Sequence, residues 1–157
     1  WGSLDFLIID SPPGTGDEPL TVAQTVPDAK ALIITTPQEL SLADVRKSIN
    51  FCRQVHMEIL GLVENMSGLV CPHCGKSIDL FKKQGGKIMA EKENIKLLGT
   101  LPIEPAVVQA GDTGTLNELN KNHLPFAQAF EKIVDSILEE EQMEAHAVPE
   151  VDKTPQN

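Results

Sequence analysis

The fold of this chain is decided by residues 4–17, which read LDFLIIDSPPGTGD. The apolar run from Leu4 to Ile9 is short and continuous, which is typical of a strand covered on both faces in a parallel sheet. Asp10 follows directly, so its carboxylate is expected at the carboxyl end of that strand, where open α/β sheets bind their ligands. A carboxylate at this position can hold magnesium, directly or through water, beside the phosphates of a nucleotide.

A turn rich in proline and glycine follows the predicted strand. Gly14 and Gly16 let backbone N–H groups approach an anion closely, and Pro12 and Pro13 stiffen the turn that presents them. The alternative is a buried strand ended by an ordinary Pro/Gly turn, which an Asp-x-Pro sequence alone does not exclude. The complete string favours a nucleotide site.

Composition and charge narrow the class of protein. The chain has 157 residues, of which 41% are hydrophobic, enough for one ordinary domain with its own core. Thirteen basic and 23 acidic residues give a net charge of −10, which argues against nucleic-acid or anionic-membrane binding as the main activity. No apolar run approaches the roughly 20 residues of a membrane span. Three cysteines without a secretion signal indicate a reducing compartment, so we expect a cytoplasmic protein.

Strands and helices are predicted to alternate along the chain, which indicates a parallel α/β sheet. Further strands are predicted at 31–36, 59–63 and 96–101, and helices at 20–26, 42–56 (with Ser41 as N-cap), 86–93 and 125–140. A short helix or turn is predicted at 103–110, followed by a polar loop at 111–114. Cys52 lies on the apolar stripe of the second helix, where a buried structural thiol is expected.

The chain lacks the phosphate-binding loop of a P-loop nucleotide site. The pattern Gly-x-x-x-x-Gly-Lys-Ser/Thr is absent, because Gly75-Lys76-Ser77 has Val70 where the first glycine is required. The chain also opens at Trp1 beside a core strand. We therefore predict that residues 1–140 are the C-terminal part of a domain in a longer protein, with a cysteine-bearing loop at 68–83. Residues 141–157 are predicted to be an acidic, disordered tail.

A close pair of cysteines is the second feature that carries chemistry. Cys71 and Cys74 can point two thiolates at one metal, and Gly75 permits the tight turn that this needs. The pair can be half of a four-thiolate site completed across a two-fold axis, or a redox dithiol. It can also be half a zinc knuckle with His73 as third ligand. Two exposed thiols without a role are the least expected, since exposed free cysteine is a liability.

Taken in order, these features resemble one family of nucleotide-binding proteins. Residues 4–17 resemble the Walker B and switch II region of the deviant P-loop ATPases that include MinD and the nitrogenase iron protein. The Cys71 and Cys74 pair, after a segment Val63-Glu64-Asn65-Met66-Ser67, is more similar to the Mrp/ApbC branch, ATPases that carry and insert iron–sulfur clusters. Over residues 3–115 the resemblance implies a parallel-sheet P-loop NTPase fold of the SIMIBI type, incomplete because the P-loop strand is absent.

The same resemblance implies roles for individual residues. Asp10 is expected to be the catalytic carboxylate that supports magnesium through water, and Pro13 and Gly14 to meet the γ-phosphate. Asn65 is expected to contact adenine, and Pro102 to complete the base pocket. Without the resemblance, Asn65 reads equally well as an amide that caps the end of its strand.

For the cysteines, the resemblance implies a labile [4Fe–4S] cluster that bridges a homodimer and passes to apo client proteins. ATP and Mg²⁺ would bind the full-length protein, an ATPase, whereas this chain alone is expected to be inactive. Two alternatives stay open. One is a zinc-bridged structural dimerisation module. The other is a MinD/ParA-like positioning ATPase, ranked last because the final helix ends in acidic residues instead of a basic membrane-binding segment. No nucleic-acid or membrane partner is expected.

Overall fold

The computed structural model describes residues 2–12, 14–71, 73–78, 80–81, 84–122 and 124–147. Within these ranges the strands are β1 (Lys30–Thr35), β2 (Glu58–Glu64), β3 (Leu69–Val70), β4 (Ser77–Ile78) and β5 (Leu97–Thr100). The helices are α1 (Asp17–Thr25), α2 (Glu39–Gln54), α3 (Gly85–Glu93), α4 (Pro105–Thr113) and α5 (Pro125–Ala147). A 3₁₀ helix at Leu116–Asn122 precedes α5. No helix in this part of the chain combines the length and the apolar character needed to cross a bilayer.

The main sheet is parallel and has β2 at its centre, in the order β1-β2-β5. Helix α2 connects β1 to β2, and α3 connects β2 to β5, so each connection is a β-α-β crossover. Parallel strands require such crossovers because a tight hairpin cannot join them. The predicted α/β class and parallel sheet are confirmed.

Helices α2 and α3 cover one face of this sheet. The four apolar residues that recur at helical spacing on α2 are all buried, and they share one core with residues of the sheet and α3: Ile33, Leu42, Val45, Ile49, Cys52, Leu62 and Met89. On the rim of this core, the Glu93 carboxylate pairs with Arg46 at 3.3 Å and with Arg53 at 2.9 Å. The two helices are therefore held together by packing and by ion pairs.

Helix α5 covers part of the opposite face. Ile133 is buried with Val63 and Leu101, while Phe126 and Ile137 pack around them. A Cβ atom on Gly99 of β5 would lie 2.7 Å from Ile133 Cγ1, so the helix rests directly on the strand backbone. The described chain thus has three layers, with its sheet in the middle.

The prediction of a strand at 4–9 is wrong, because the structure has no strand there. Residues 2–12 adopt no strand and are exposed, Ile8 by 86%. A strand is stable only when its backbone groups pair in a ladder and its side chains are covered. The segment joins neither described sheet, so both conditions fail.

Other element boundaries also differ from the prediction. Helix α2 begins at Glu39 and has Gln38 as its N-cap, while the Ser41 hydroxyl accepts a hydrogen bond from Thr36 Oγ1 at 2.7 Å instead of capping the helix. Most of the predicted polar loop at 111–114 belongs to α4, which ends at a left-handed Gly114. Helix α5 runs seven residues beyond its predicted end, to Ala147, through a segment of strong helix formers. Residues 148–157 of the predicted tail lie outside the described residues.

Candidate functional site

The cysteine pair lies in the tight connection of a small antiparallel hairpin. Strands β3 and β4 pair Leu69 with Ile78 and residue 70 with residue 77. Between them, Cys71 N donates to Lys76 O and Gly75 N donates to Cys71 O, each at 2.9 Å. Gly75 has a φ of +68°, in the left-handed region that favours glycine, so the loop sequence and the turn geometry agree. The insertion predicted as loop-like contains this ordered hairpin.

Backbone N–H groups converge on the first cysteine of the pair. The N–H of His73 is the main cause that lowers the pKa of the Cys71 thiol, followed by the N–H and the side chain of Cys74. These donors favour the thiolate, which is the form that binds metals. Both cysteines are free, Cys71 partly exposed and Cys74 exposed, so a metal or cluster can reach them from solvent.

One chain supplies two sulfur ligands at this turn. Among the described residues, no group of three or more His, Cys, Asp or Glu side chains is placed to hold a metal ion. In this part of the chain His73, Cys71 and Cys74 are therefore not placed together as three ligands, and the half-knuckle alternative stays untested. Cys52 lies in the core, where burial raises the pKa of its thiol, as expected for a structural cysteine.

The carboxyl edge of the parallel sheet brings Asn65 and Pro102 together. Asn65 N donates to Thr35 O at 2.7 Å, and Asn65 Oδ1 accepts from Met66 N at 2.9 Å. The segment is tied to the end of β5, because Ser67 N donates to Leu101 O at 2.9 Å. The oxygen of the Asn65 amide thus caps its own turn and leaves Nδ2 to donate. The predicted contacts of Asn65 and Pro102 with a base stay predictions.

The predicted phosphate and magnesium residues lie in the segment that forms no strand. Asp10 and Gly14 are exposed, and Gly14 has a φ of +104°. Pro13 lies outside the described residues. Asp10 does not stand at the end of a strand of the sheet. The assigned roles of Asp10, Pro13 and Gly14 stay predictions.

Glu64 is a residue that sequence reasoning missed. It ends β2 and is only 1% exposed. Its Oε1 accepts from Ser67 Oγ and its Oε2 from Gly86 N, each at 2.5 Å. The available signal was an ionisable residue that directly continues the buried strand 59–63.

Comparison with known proteins gives the family of the chain. The ParA family model, described as NUBPL iron-transfer P-loop NTPase, matches residues 1–138. Over 147 residues the chain is 46% identical to the cytosolic Fe-S cluster assembly factor CFD1 of Kluyveromyces lactis, with 88% of this chain and 51% of that protein covered. Over 138 residues it is 46% identical to an iron-sulfur cluster carrier protein of Pyrococcus abyssi, covering 88% of this chain and 46% of that protein. The chain thus spans about half the length of these curated relatives.

Solved structures agree with this assignment. A nucleotide-binding protein of Archaeoglobus fulgidus, in complex with ADP, superimposes with a TM-score of 0.69 at 40% identity, over 83% of this chain and 52% of that one. The MinD cell division protein of Aquifex aeolicus superimposes with a TM-score of 0.61 at 20% identity, over 94% of this chain and 56% of that one, and shows the fold alone. The resemblance drawn from the motifs is confirmed, and the chain belongs to the ParA family of NUBPL iron-transfer P-loop NTPases.

Proposed function

We propose that the natural full-length protein is an ATP-dependent iron–sulfur cluster carrier that holds its cargo on Cys71 and Cys74. The observation that carries this proposal is the turn at these cysteines, in which backbone N–H groups of His73 and Cys74 favour the Cys71 thiolate. Iron–sulfur clusters are held by cysteine thiolates, and hydrogen bonds to the sulfurs tune them. Membership in an iron-transfer family supports the same cargo.

The number of sulfur ligands that the cluster needs is the reason for proposing a homodimer. A [4Fe–4S] cluster takes four thiolates, whereas the turn of one chain provides two. Cys52 lies on the buried face of α2 and is 5% exposed, so it cannot complete the site without disrupting the core. Two copies related by a two-fold axis, each giving Cys71 and Cys74, supply the four ligands. The exposure of Cys74 suits such a shared position.

Nucleotide binding is the second part of the proposal. Asn65 Nδ2 would donate to an adenine acceptor, and Pro102 would line the base pocket at the same edge of the sheet. Asp10 would support magnesium through water, and Pro13 and Gly14 would meet the phosphates of ATP. The ADP complex of the Archaeoglobus relative supports a nucleotide site in this fold. ATP hydrolysis is assigned to the full-length protein, since the present chain lacks a P-loop sequence.

Nucleotide state and cluster release are coupled in this account. Closure of two subunits around ATP would change the geometry between the two cysteine turns and so control transfer of the cluster to apo client proteins. The relative from Kluyveromyces lactis is a cytosolic factor, which supports a cytoplasmic location for this protein.

Anaerobic reconstitution of the full-length protein with iron and sulfide tests the cargo assignment. We expect the absorption and Mössbauer spectra of a [4Fe–4S] cluster, at about one cluster per two chains, since a cluster requires four thiolates. The cluster should be lost when Cys71→Ala and Cys74→Ala are combined. The matched control is Cys52→Ala, which should retain it. Tight zinc without a cluster would instead identify a zinc-bridged structural dimer, because paired thiolates also suit zinc.

A further inference from the structure

Glu64 is anchored at the centre of the parallel sheet. It is the last residue of the central strand β2 and pairs with Thr35 of β1 on one side and Thr100 of β5 on the other. Its own carbonyl oxygen accepts from Leu101 N at 2.8 Å. Groups that are hydrogen-bonded to its side chain are therefore held at a fixed position relative to the middle of the parallel sheet.

Its carboxylate bonds to both ends of the segment that carries the cysteines. Oε1 accepts from the hydroxyl of Ser67, two residues before β3, and Oε2 accepts from the N–H of Gly86, the second residue of α3. The chain between these two donors contains the whole β3–β4 hairpin with Cys71 and Cys74. A single side chain thus closes the base of this segment.

The contact with α3 has a shape that only glycine permits. A Cβ atom on Gly86 would lie 2.9 Å from both Cβ and Oε2 of Glu64, and 3.1 Å from Leu62 Cδ2. The negative carboxylate also meets the first turn of α3, where backbone N–H groups are unsatisfied within the helix and the helix dipole favours an anion. Packing and electrostatics therefore both hold the C-terminal end of the segment, at Gly86, against Glu64.

The entrance of the segment is fixed as well. Ser67 N donates to Leu101 O at 2.9 Å, and Ile103 N donates to Gly68 O at 2.7 Å. A bridge pairs Leu69 with Ile103. Main-chain bonds therefore hold the start of the hairpin, whereas the bond of Gly86 N to Glu64 ties its exit to the same place.

We propose that Glu64 is a positioning residue for the cluster-binding cysteines, which it sets in fixed relation to the sheet edge that carries Asn65. This inference rests on the proposed function, because it names the residue that holds the cysteine hairpin for its cargo. Glu64 lies in the chain beside Asn65, so one anchor serves both the predicted base contact and the cysteine pair. A charged acceptor suits this role, since hydrogen bonds to charged groups are stronger than neutral ones.

The test measures the rate at which a chelator removes iron from the reconstituted full-length protein. Ser67→Ala deletes the hydroxyl bond to Glu64 and leaves the main-chain bonds of the entrance in place. We therefore expect iron release to be faster by at most roughly tenfold, the effect of one lost hydrogen bond to a charged group. Glu64→Ala deletes both bonds of the carboxylate and should release iron faster still. Glu64→Gln should release iron at a rate between those of the wild type and Glu64→Ala, because its oxygen can accept from Gly86 and its amide can donate to the Ser67 hydroxyl, but neither bond keeps a charged partner.

Matched controls separate positioning from general stability. Glu58→Gln is the control for Glu64→Gln and lies at the exposed start of β2. Ser48→Ala is the control for Ser67→Ala and lies on α2. Neither control should alter the rate of iron release. Thermal unfolding is measured for every variant, and the Ser67→Ala result carries the test even where Glu64→Ala fails to fold. Faster release from Ser67→Ala than from Ser48→Ala, measured at a temperature well below the Tm of both variants, supports the inference. Equal release from Ser67→Ala and Ser48→Ala overturns it.

Failure of the proposed function gives a different result. If the wild type forms no iron–sulfur cluster, that function is wrong, and the same variants are compared with Co²⁺, whose thiolate charge-transfer band reports binding by the cysteine pair. Faster Co²⁺ release from Ser67→Ala than from Ser48→Ala then supports the positioning role on its own. Equal Co²⁺ release overturns it.

Discussion

At the scale of single residues, the surroundings of Cys71 and Cys52 shift the pKa values of their thiols in opposite directions. Cys71 sits in a turn whose backbone N–H groups stabilise the thiolate, so its pKa is lowered. Cys52 sits among apolar side chains of the core, where the charged form is poorly solvated, so its pKa is raised. The same chemical group is thus favoured as the thiolate at Cys71 and as the neutral thiol at Cys52.

These opposite shifts predict the pH dependence of alkylation by iodoacetamide. A lowered pKa means that the thiolate forms at lower pH, so labelling of folded Cys71 should rise at a lower pH than labelling of the same cysteine in urea. Cys52 should resist labelling until the protein unfolds. Mass spectrometry of digests from a pH series measures both rates. A labelling midpoint for folded Cys71 at or above the value in urea would contradict the assigned role of the turn.

At the scale of elements, close approach of backbones sets what the helices tolerate. Gly86 brings the start of α3 onto Glu64 with no room for a Cβ atom. Gly111 lies inside α4, where a Cβ atom would meet nothing within 4 Å. Packing therefore requires glycine at position 86. At position 111 packing does not require it, and a residue with a higher helix propensity would fit.

Alanine at these two positions should change the free energy of unfolding in opposite directions. Gly111→Ala should stabilise the protein by up to about 1 kcal/mol, the difference in helix propensity between alanine and glycine. Gly86→Ala should destabilise it by roughly 1–2 kcal/mol, because overpacking costs about 1–3 kcal/mol and exceeds the gain in propensity. Urea denaturation of both variants provides the measurement. Stabilisation by Gly86→Ala would show that α3 does not rest on Glu64.

Sequence reasoning succeeded where a pattern is local and failed where a contact is distant. The stripe Leu42, Val45, Ile49 on α2 follows from helical spacing, and all three residues are buried. The burial of Glu64 depends on Gly86, 22 residues along the chain, and no local pattern signals that contact. The run at 4–9 has the composition of a strand, but a strand also needs a partner ladder, which the run does not form within the described residues.

At the scale of the whole molecule, one part of the sheet is left uncovered. Alternate residues of β1 point to the two faces, and Leu32 is 41% and Ile34 51% exposed, whereas Ile33 is buried. The apolar run at 4–9 is exposed as well. Since the chain spans about half the length of the relatives, we predict that the natural full-length protein covers these surfaces.

The uncovered face predicts how the 157-residue chain behaves alone. It should bind the hydrophobic dye ANS more strongly than the full-length protein, because exposed apolar patches of this kind favour association. Ile34→Ser should reduce dye binding by the isolated chain and change its stability by no more than about 0.5 kcal/mol, as for other surface substitutions. In the full-length protein the same substitution should destabilise. Equal dye binding by the two lengths would refute the prediction.

The central claim, that nucleotide controls a transferable cluster on Cys71 and Cys74, is tested most directly by cluster transfer. The reconstituted full-length protein is mixed anaerobically with an apo ferredoxin, and the rate of acceptor loading is followed with and without MgATP. We expect transfer whose rate changes with MgATP, retained in Cys52→Ala and abolished when both Cys71 and Cys74 are alanine. A transfer rate that is indifferent to MgATP, or that survives loss of the cysteine pair, would contradict it.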